Sequence, residues 1–178
     1  MPPLPNPEIS KILPKRYPMA SNAEKALEVL KKYVGKEEGT SAWHTVDQAQ
    51  INLFADATLD RQFIHTDPEL AAKVSPYKTT VAHGFLTLSL IPYLGAGIAP
   101  LDPAMHEGMM MGINYGLDKV RFPNPVRVNS KVRARRELLS AELVPPNTIQ
   151  LKHKVTVEIE GEAKPGCVAE ALSRLIYA

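Results

Sequence analysis

Residues 60–97, DRQFIHTDPELAAKVSPYKTTVAHGFLTLSLIPYLGAG, decide how the rest of the chain is read. The stretch opens with an acid and an imidazole five residues apart, Asp60 and His65, and then enters a short polar segment. In Asp67-Pro68-Glu69 the aspartate can cap a helix and the proline fits its first position. The glutamate favours the positive end of the peptide dipoles. Ser75-Pro76 ends that helix near Val74. After His83-Gly84 comes FLTLSLIPYLGAG, apolar on nearly every side of a helical wheel, with only Thr87 and Ser89 as small polar exceptions. A helix hydrophobic almost all round belongs in a core. A buried strand fits less well, because the run is long and poor in β-branched residues. Pro92 predicts a bend in the helix rather than its end.

The flanking sequence supplies what would wrap that helix. Residues 1–20 are crowded with proline and read as extended or poorly ordered chain. Ala23, Ala26, Leu27, Leu30 and Val34 recur at helical spacing, with Ser21 or Asn22 as cap and Gly35 as stop. Such a helix can cover a sheet edge or contact a partner. Gly39 to Trp43 reads as a short edge strand. Thr45 followed by Gln48 suggests a capping box for a helix from about Val46 to Ala57, with Ala49, Leu53, Phe54 and Ala57 on its buried stripe. The second half has strand texture: Gly108 to Leu117, Val120 to Phe122, Val126 to Val128, Asn129 to Val144, Ile149 to Glu160 and Cys167 to Ile176. In Ile149 to Glu160 the alternation is complete, with Ile149, Leu151, His153, Val155, Val157 and Ile159 pointing one way. Long antiparallel strands with one oily face need a cover, and the central helix needs a wrapping. The expected architecture is α+β, a curved antiparallel sheet around one central helix, with no internal repeat or second domain.

Composition narrows the function classes. The chain has 178 residues, 44% hydrophobic and 22% charged, ordinary for one globular domain. A net charge of +2 gives no case for nucleic acid or an anionic membrane, though a local basic patch could meet a phosphorylated cofactor. The one cysteine excludes an internal disulfide. No leader pattern is evident, and the run from Phe85 to Leu101 is short for a membrane span. A cytoplasmic protein without membrane insertion is expected.

Asp60 and His65 are the leading chemical pair. Hydration of a conjugated double bond removes a proton from an attacking water and delivers one to the neighbouring carbon. A carboxylate and an imidazole within reach of that water can share both transfers. The bland alternative is that Asp60 pairs with Arg61 or caps backbone. At His83-Gly84, glycine lets a substrate approach the backbone, and the first amides of a helix lack intrahelical partners. Such an amide suits a carbonyl oxygen that gains negative charge; a turn glycine beside a satisfied histidine is the structural alternative. Lys131, Arg133 and Arg135 share a strand face that could contact phosphates or simply be solvated. His44, His106 and His153 show no ligand-like grouping, so no metal is expected. His153 is expected as a hydrogen-bonded core histidine. Asn114-Tyr115-Gly116 could line a pocket, as could Met109 to Met111.

FADATLDRQFIHTDPELA, SPYKTTVAHGFLTLSLIPYL, INYGLDKVRFPNPVRVNSKVR and VEIEGEAKPGCVAEA together resemble the MaoC-like dehydratase and R-specific enoyl-CoA hydratase family. The resemblance runs from about Val34 to the C-terminus, so residues 1–33 stand as an extension and 34–178 as one domain. It implies a hot dog fold and commonly a homodimer with the site near the subunit interface. It also implies reversible hydration of a trans-2-enoyl thioester to the (3R)-3-hydroxyacyl product. By that resemblance Asp60 and His65 activate the water, and the Gly84 amide helps to hold the thioester carbonyl. Gln62 and His83, with Asn114, are expected in the substrate pocket; Lys78, Arg133 and Arg135 are expected toward coenzyme A. Coenzyme A enters as part of the substrate, and no further cofactor is implied. Acyl carrier protein is an alternative carrier, thioester hydrolysis an alternative reaction, and a non-catalytic acyl-binding scaffold the non-enzymatic reading. Three positions depart from the family pattern. Gln62-Phe63-Ile64 replaces a common Asn-Pro, and Leu59 and Lys78 stand where glycine is usual.

Overall fold

The computed structural model describes residues 20–178; the proline-rich segment, up to residue 19, lies outside the described residues. The chain begins with helix α1 (Asn22–Lys31), followed by strands β1 (Glu37–Thr40) and β2 (His44–Val46). Helices α2 (Gln48–Thr58), α3 (Phe63–Thr66) and α4 (Pro68–Val74) come next, then α5 (Gly84–Ser89) and α6 (Ile91–Ala96). Four long strands complete it: β3 (Met109–Arg121), β4 (Ser130–Val144), β5 (Thr148–Ile159) and β6 (Cys167–Tyr177). They form one antiparallel sheet in the order β1-β4-β5-β6-β3, with β2 also on β4 beyond the end of β1.

Burial of alternate residues holds the sheet to its helices. All six residues of β5 expected to face one way are buried, Ile149 through Ile159. Val132, Ala134, Val155, Val157, Ile159, Cys167 and Ala169 meet Leu86, Leu90, Leu94 and Ile98, one stripe at four-residue spacing along α5, α6 and the turn after them. Each leucine so buried is worth about 1.5–3 kcal/mol relative to exposure. A second core lies under α1, whose Ala23, Ala26, Leu27 and Leu30 pack on Leu138, Ile149, Leu151 and Tyr177. Ser21 caps α1 in a full capping box with Glu24. The first helix therefore covers the sheet.

Four local expectations are corrected. The central helix is two short helices meeting at Leu90, and only one stripe is buried; Phe85 and Tyr93 are 68% and 63% exposed. Pro92 lacks the N–H that a continuous ladder would use. The edge strand expected over 39–43 is two strands, one ending at Thr40 and the other starting at His44, with Trp43 outside both. Thr45 lies in β2 and caps nothing; Asp47 caps α2 by accepting from the Gln50 N–H at 2.8 Å. The buried face of α2 carries Ile51 and Ala55, while Leu53 is exposed. Moving the cap from Thr45 to Asp47 shifts where the helix begins and so which phase meets the core. No helix among the described residues is long and apolar enough to cross a membrane.

Candidate active site

The residues between α2 and α5 converge because three segments are tied together by backbone. Ala82 donates to the Val126 carbonyl at 2.8 Å and Val128 to the Thr80 carbonyl at 3.0 Å, pinning 80–82 against 126–128. Val81 donates to the Ile64 carbonyl at 2.9 Å and so ties that segment to α3. The Val81 carbonyl in turn accepts from His65 Nδ1 at 2.6 Å. A carbonyl can only accept, so the His65 proton sits on Nδ1 and Nε2 is left with its lone pair. Gln48 completes the clamp, donating to the His65 carbonyl at 2.7 Å while accepting from Thr80.

His83 forms the floor. Its ring stacks on His65 with centroids 3.7 Å apart and planes 26° apart, and Phe54 lies 5.0 Å away. His83 Nε2 donates to the Asp60 main-chain carbonyl at 2.9 Å, fixing the backbone that carries the acid. Its Nδ1 is buried with no hydrogen-bond partner among the described residues. Asp60 itself is exposed, and Arg61 is engaged by Asp56 at 3.1 Å. One ligand-type atom from each of Asp60, His65 and His83 lies within 4.8 Å of the others. That separation lets one water bridge the carboxylate and an imidazole, and it would also admit a small cation.

Burial pulls the His65 imidazole below its ordinary value. The Val81 hydrogen bond opposes the shift, neighbouring His83 adds to it, and Asp60 opposes it again. The neutral ring, with a free Nε2, is the form favoured near neutrality.

The structure brings Asp60, His65, His83 and Gly84 together and sends the other expected residues elsewhere. Gly84 opens α5, and a Cβ there would stand 2.9 Å from the Phe122 ring, so this glycine makes room for an aromatic side chain. Gln62 caps α3 with its main-chain carbonyl, accepting from the His65 N–H at 2.9 Å; its side chain is exposed. Asn114 lies on β3 and lines two adjoining cavities along α5 and α6. Arg133 and Arg135 alternate with inward Val132 and Ala134, so they occupy the opposite face of the sheet. There both bond Glu158 at 2.7 Å, Arg135 also reaches Glu37, and Arg133 lies over Trp43. Lys78 is exposed at φ 58°, and Leu59 has φ 64°. Both positions where the family pattern favours glycine thus hold L-residues in left-handed backbone, one immediately before Asp60 and one before the Val81 clamp.

Sequence reasoning missed the roles of Gln48, the Val81 carbonyl and the His65–His83 stack. The only available signal for the last was a second histidine beside a helix-initiating glycine. The sheet, its helices and this site define the class: the chain belongs to the MaoC-like domain family, whose sequence pattern matches residues 29–160, and its fold is the hot dog. Among individual proteins it is 49% identical over 142 residues to 3-hydroxyacyl-thioester dehydratase Z of Mycobacterium tuberculosis, covering 80% of this chain and 90% of that protein. It is 47% identical over 146 residues to nodulation protein N of Rhizobium meliloti, covering 82% and 88%. The solved R-hydratase PhaJ1 of Pseudomonas aeruginosa superposes with a TM-score of 0.60 at 26% identity, covering 82% of this chain and 83% of that one.

Two outcomes test this geometry. The unfolded chain takes up a proton on His65 near the ordinary value of about 6.5, and the folded chain does so only at lower pH. Stability is therefore full above that value and declines as pH falls through it. Urea midpoints of the wild type should drop more than those of His65→Gln between about pH 7.5 and about pH 5; equal drops would remove His65 as the cause. Left-handed backbone costs an L-residue roughly 1 kcal/mol. Leu59→Gly and Lys78→Gly should each leave the melting temperature unchanged or raise it by about 2–4 °C, measured by calorimetry. A fall of several degrees in both would contradict the assigned strain.

Proposed function

We propose that the protein catalyses reversible hydration of trans-2-enoyl-CoA to (3R)-3-hydroxyacyl-CoA. The observation that carries this reading is the grouping of Asp60 and His65, one ligand-type atom of each within 4.8 Å of the other, beside the first amide of α5. A water held between the two groups loses a proton as its oxygen bonds to C3. A proton is delivered to C2, and the Gly84 amide stabilises the carbonyl oxygen that gains charge in between. The net change is H and OH across one double bond, with no electron transfer and no metal required. The names of two relatives, a 3-hydroxyacyl-thioester dehydratase and an R-hydratase, support the reaction class. In this reading exposed Lys78, whose ammonium lies 3.4 Å from the Lys73 carbonyl, would turn to a coenzyme A phosphate. Arg133 and Arg135 are already matched by carboxylates on the far face of the sheet.

The working unit in this reading is a homodimer. Among the described residues strand β3 pairs on one side only, with β6, and it carries exposed Met110, Met111, Ile113, Tyr115 and Leu117. Exposed apolar side chains along an unpaired sheet edge are characteristic of an interface. Light scattering should give twice the chain mass, and Met111→Lys/Leu117→Lys should shift it toward one chain. A wild-type monomer at all concentrations would refute this part.

The reaction is tested by following loss of enoyl absorbance with crotonyl-CoA and longer trans-2-enoyl-CoAs, with chelator present and product chirality determined. Asp60→Asn and His65→Gln should each lower kcat/KM by about 10²–10⁴ with the fold intact. Unchanged turnover in both variants would sink the mechanism, and release of free coenzyme A without hydration would favour a thioesterase.

A further inference from the structure

A second polar cluster lies away from the catalytic loop, inside the larger of the two cavities along the central helices. In β1, Glu37 pairs with Glu137 and Gly39 with Arg136, so Glu38 is the extra residue of a β-bulge. Bulges re-aim side chains, and this one turns a carboxylate inward, its side chain only 3% exposed. Arg136 Nε bonds Glu38 Oε2, and His153 Nε2, on the inward face of β5, lies 3.4 Å from the same oxygen. Arg136 Nη1 sits against α6 at Gly95, where a Cβ would be 3.4 Å away.

These three residues line a cavity of about 460 Å³ whose other walls include Ile91, Ile98, Val155 and Leu172. It adjoins an apolar cavity of about 320 Å³ beside Leu88 and Ser89, sharing Ile91, Pro92, Asn114, Ala171 and Leu172 with it. Together they run beside the helices from Leu88 in α5 to Ala96 in α6. Leu88 lies one turn of α5 beyond Gly84, so an acyl group held at that glycine and directed along the helix would reach these cavities, and this argument rests on the hydratase reading.

We infer that the cluster receives the distal end of the acyl group and that this end carries a neutral hydrogen-bonding oxygen, a hydroxyl or a ketone. A buried ion pair is a weak source of stability compared with apolar packing. Its presence beside an apolar cavity calls for another account, and ligand recognition provides one. Glu38 and Arg136 cancel in charge, so a neutral oxygen can accept from the terminal nitrogens of Arg136 without adding charge. A methyl end would strip water from those donors and return nothing. A carboxylate end would set a second negative charge beside buried Glu38.

The experiment compares matched medium-chain thioesters ending in methyl, hydroxyl or carboxylate. Saturated acyl-CoAs are used for calorimetric Kd and trans-2-enoyl-CoAs for kcat/KM, with crotonyl-CoA as the short substrate. The hydroxyl end should bind about tenfold tighter than the methyl end, the factor given by one charge-assisted hydrogen bond. The kcat/KM ratio should be similar. In the charge-balanced double variant Glu38→Gln/Arg136→Met, with folding checked by melting, that preference should fall to within about twofold. Equal or better binding of the methyl end by the wild type, or tightest binding of the carboxylate, overturns the inference. Absence of turnover even with crotonyl-CoA would instead strike the hydratase reading, while the Kd comparison would still decide the cavity.

Discussion

The structure depends on one apolar seam, where Leu86, Leu90, Leu94 and Ile98 lie on the inward residues of β4, β5 and β6. The seam sets the height of α5 over the sheet, and α5 begins at the site. Every functional distance is therefore referred to a packed surface rather than to a loop. The short helices α5 and α6 would be marginal alone; the sheet beneath them makes them rigid. The loop that carries Asp60 and His65 acquires the same rigidity second-hand, through the backbone bonds between 80–82 and 126–128 and through Val81.

That arrangement divides labour within a pair of histidines. His65 has one nitrogen committed to a carbonyl and the other free, the division a proton-transferring imidazole needs. His83 is nearly identical in chemistry but spends its Nε2 on the Asp60 carbonyl and has its Nδ1 buried. Burial keeps His65 neutral, and the stack with His83 makes a charge on His65 less favourable still. The second ring thus supports the first both mechanically and electrostatically.

Sequence periodicity was most informative where one physical cause dominated. The alternation in β5 reads directly because a two-residue period has one interpretation when the other face meets water. Asp60, His65 and Gly84 were legible through their spacing, their position before an apolar run and the family resemblance. The single-helix reading of 84–97 failed because apolar side chains also occupy surfaces that face solvent in one chain, as Phe85 and Tyr93 do. Glu38 was invisible for a different reason. A bulge is a mismatch between two strands, and neither strand alone records it. The carbonyl of Val81 carries no residue-specific signal at all, since every residue has one. Leu59 and Lys78 were flagged as departures from glycine, but their meaning required the φ angles.

The contact between Gly84 and Phe122 has a consequence for how this sequence can change. The two residues are 38 positions apart, yet the ring edge of one fills the space where the other would carry its first side-chain atom. Alanine at 84 would force the Phe122 ring to move, and a smaller residue at 122 would make room for it. The cost of alanine at 84 therefore depends on which residue stands at 122. Positions 84 and 122 are thereby epistatic, and drift at one is expected to wait for the other.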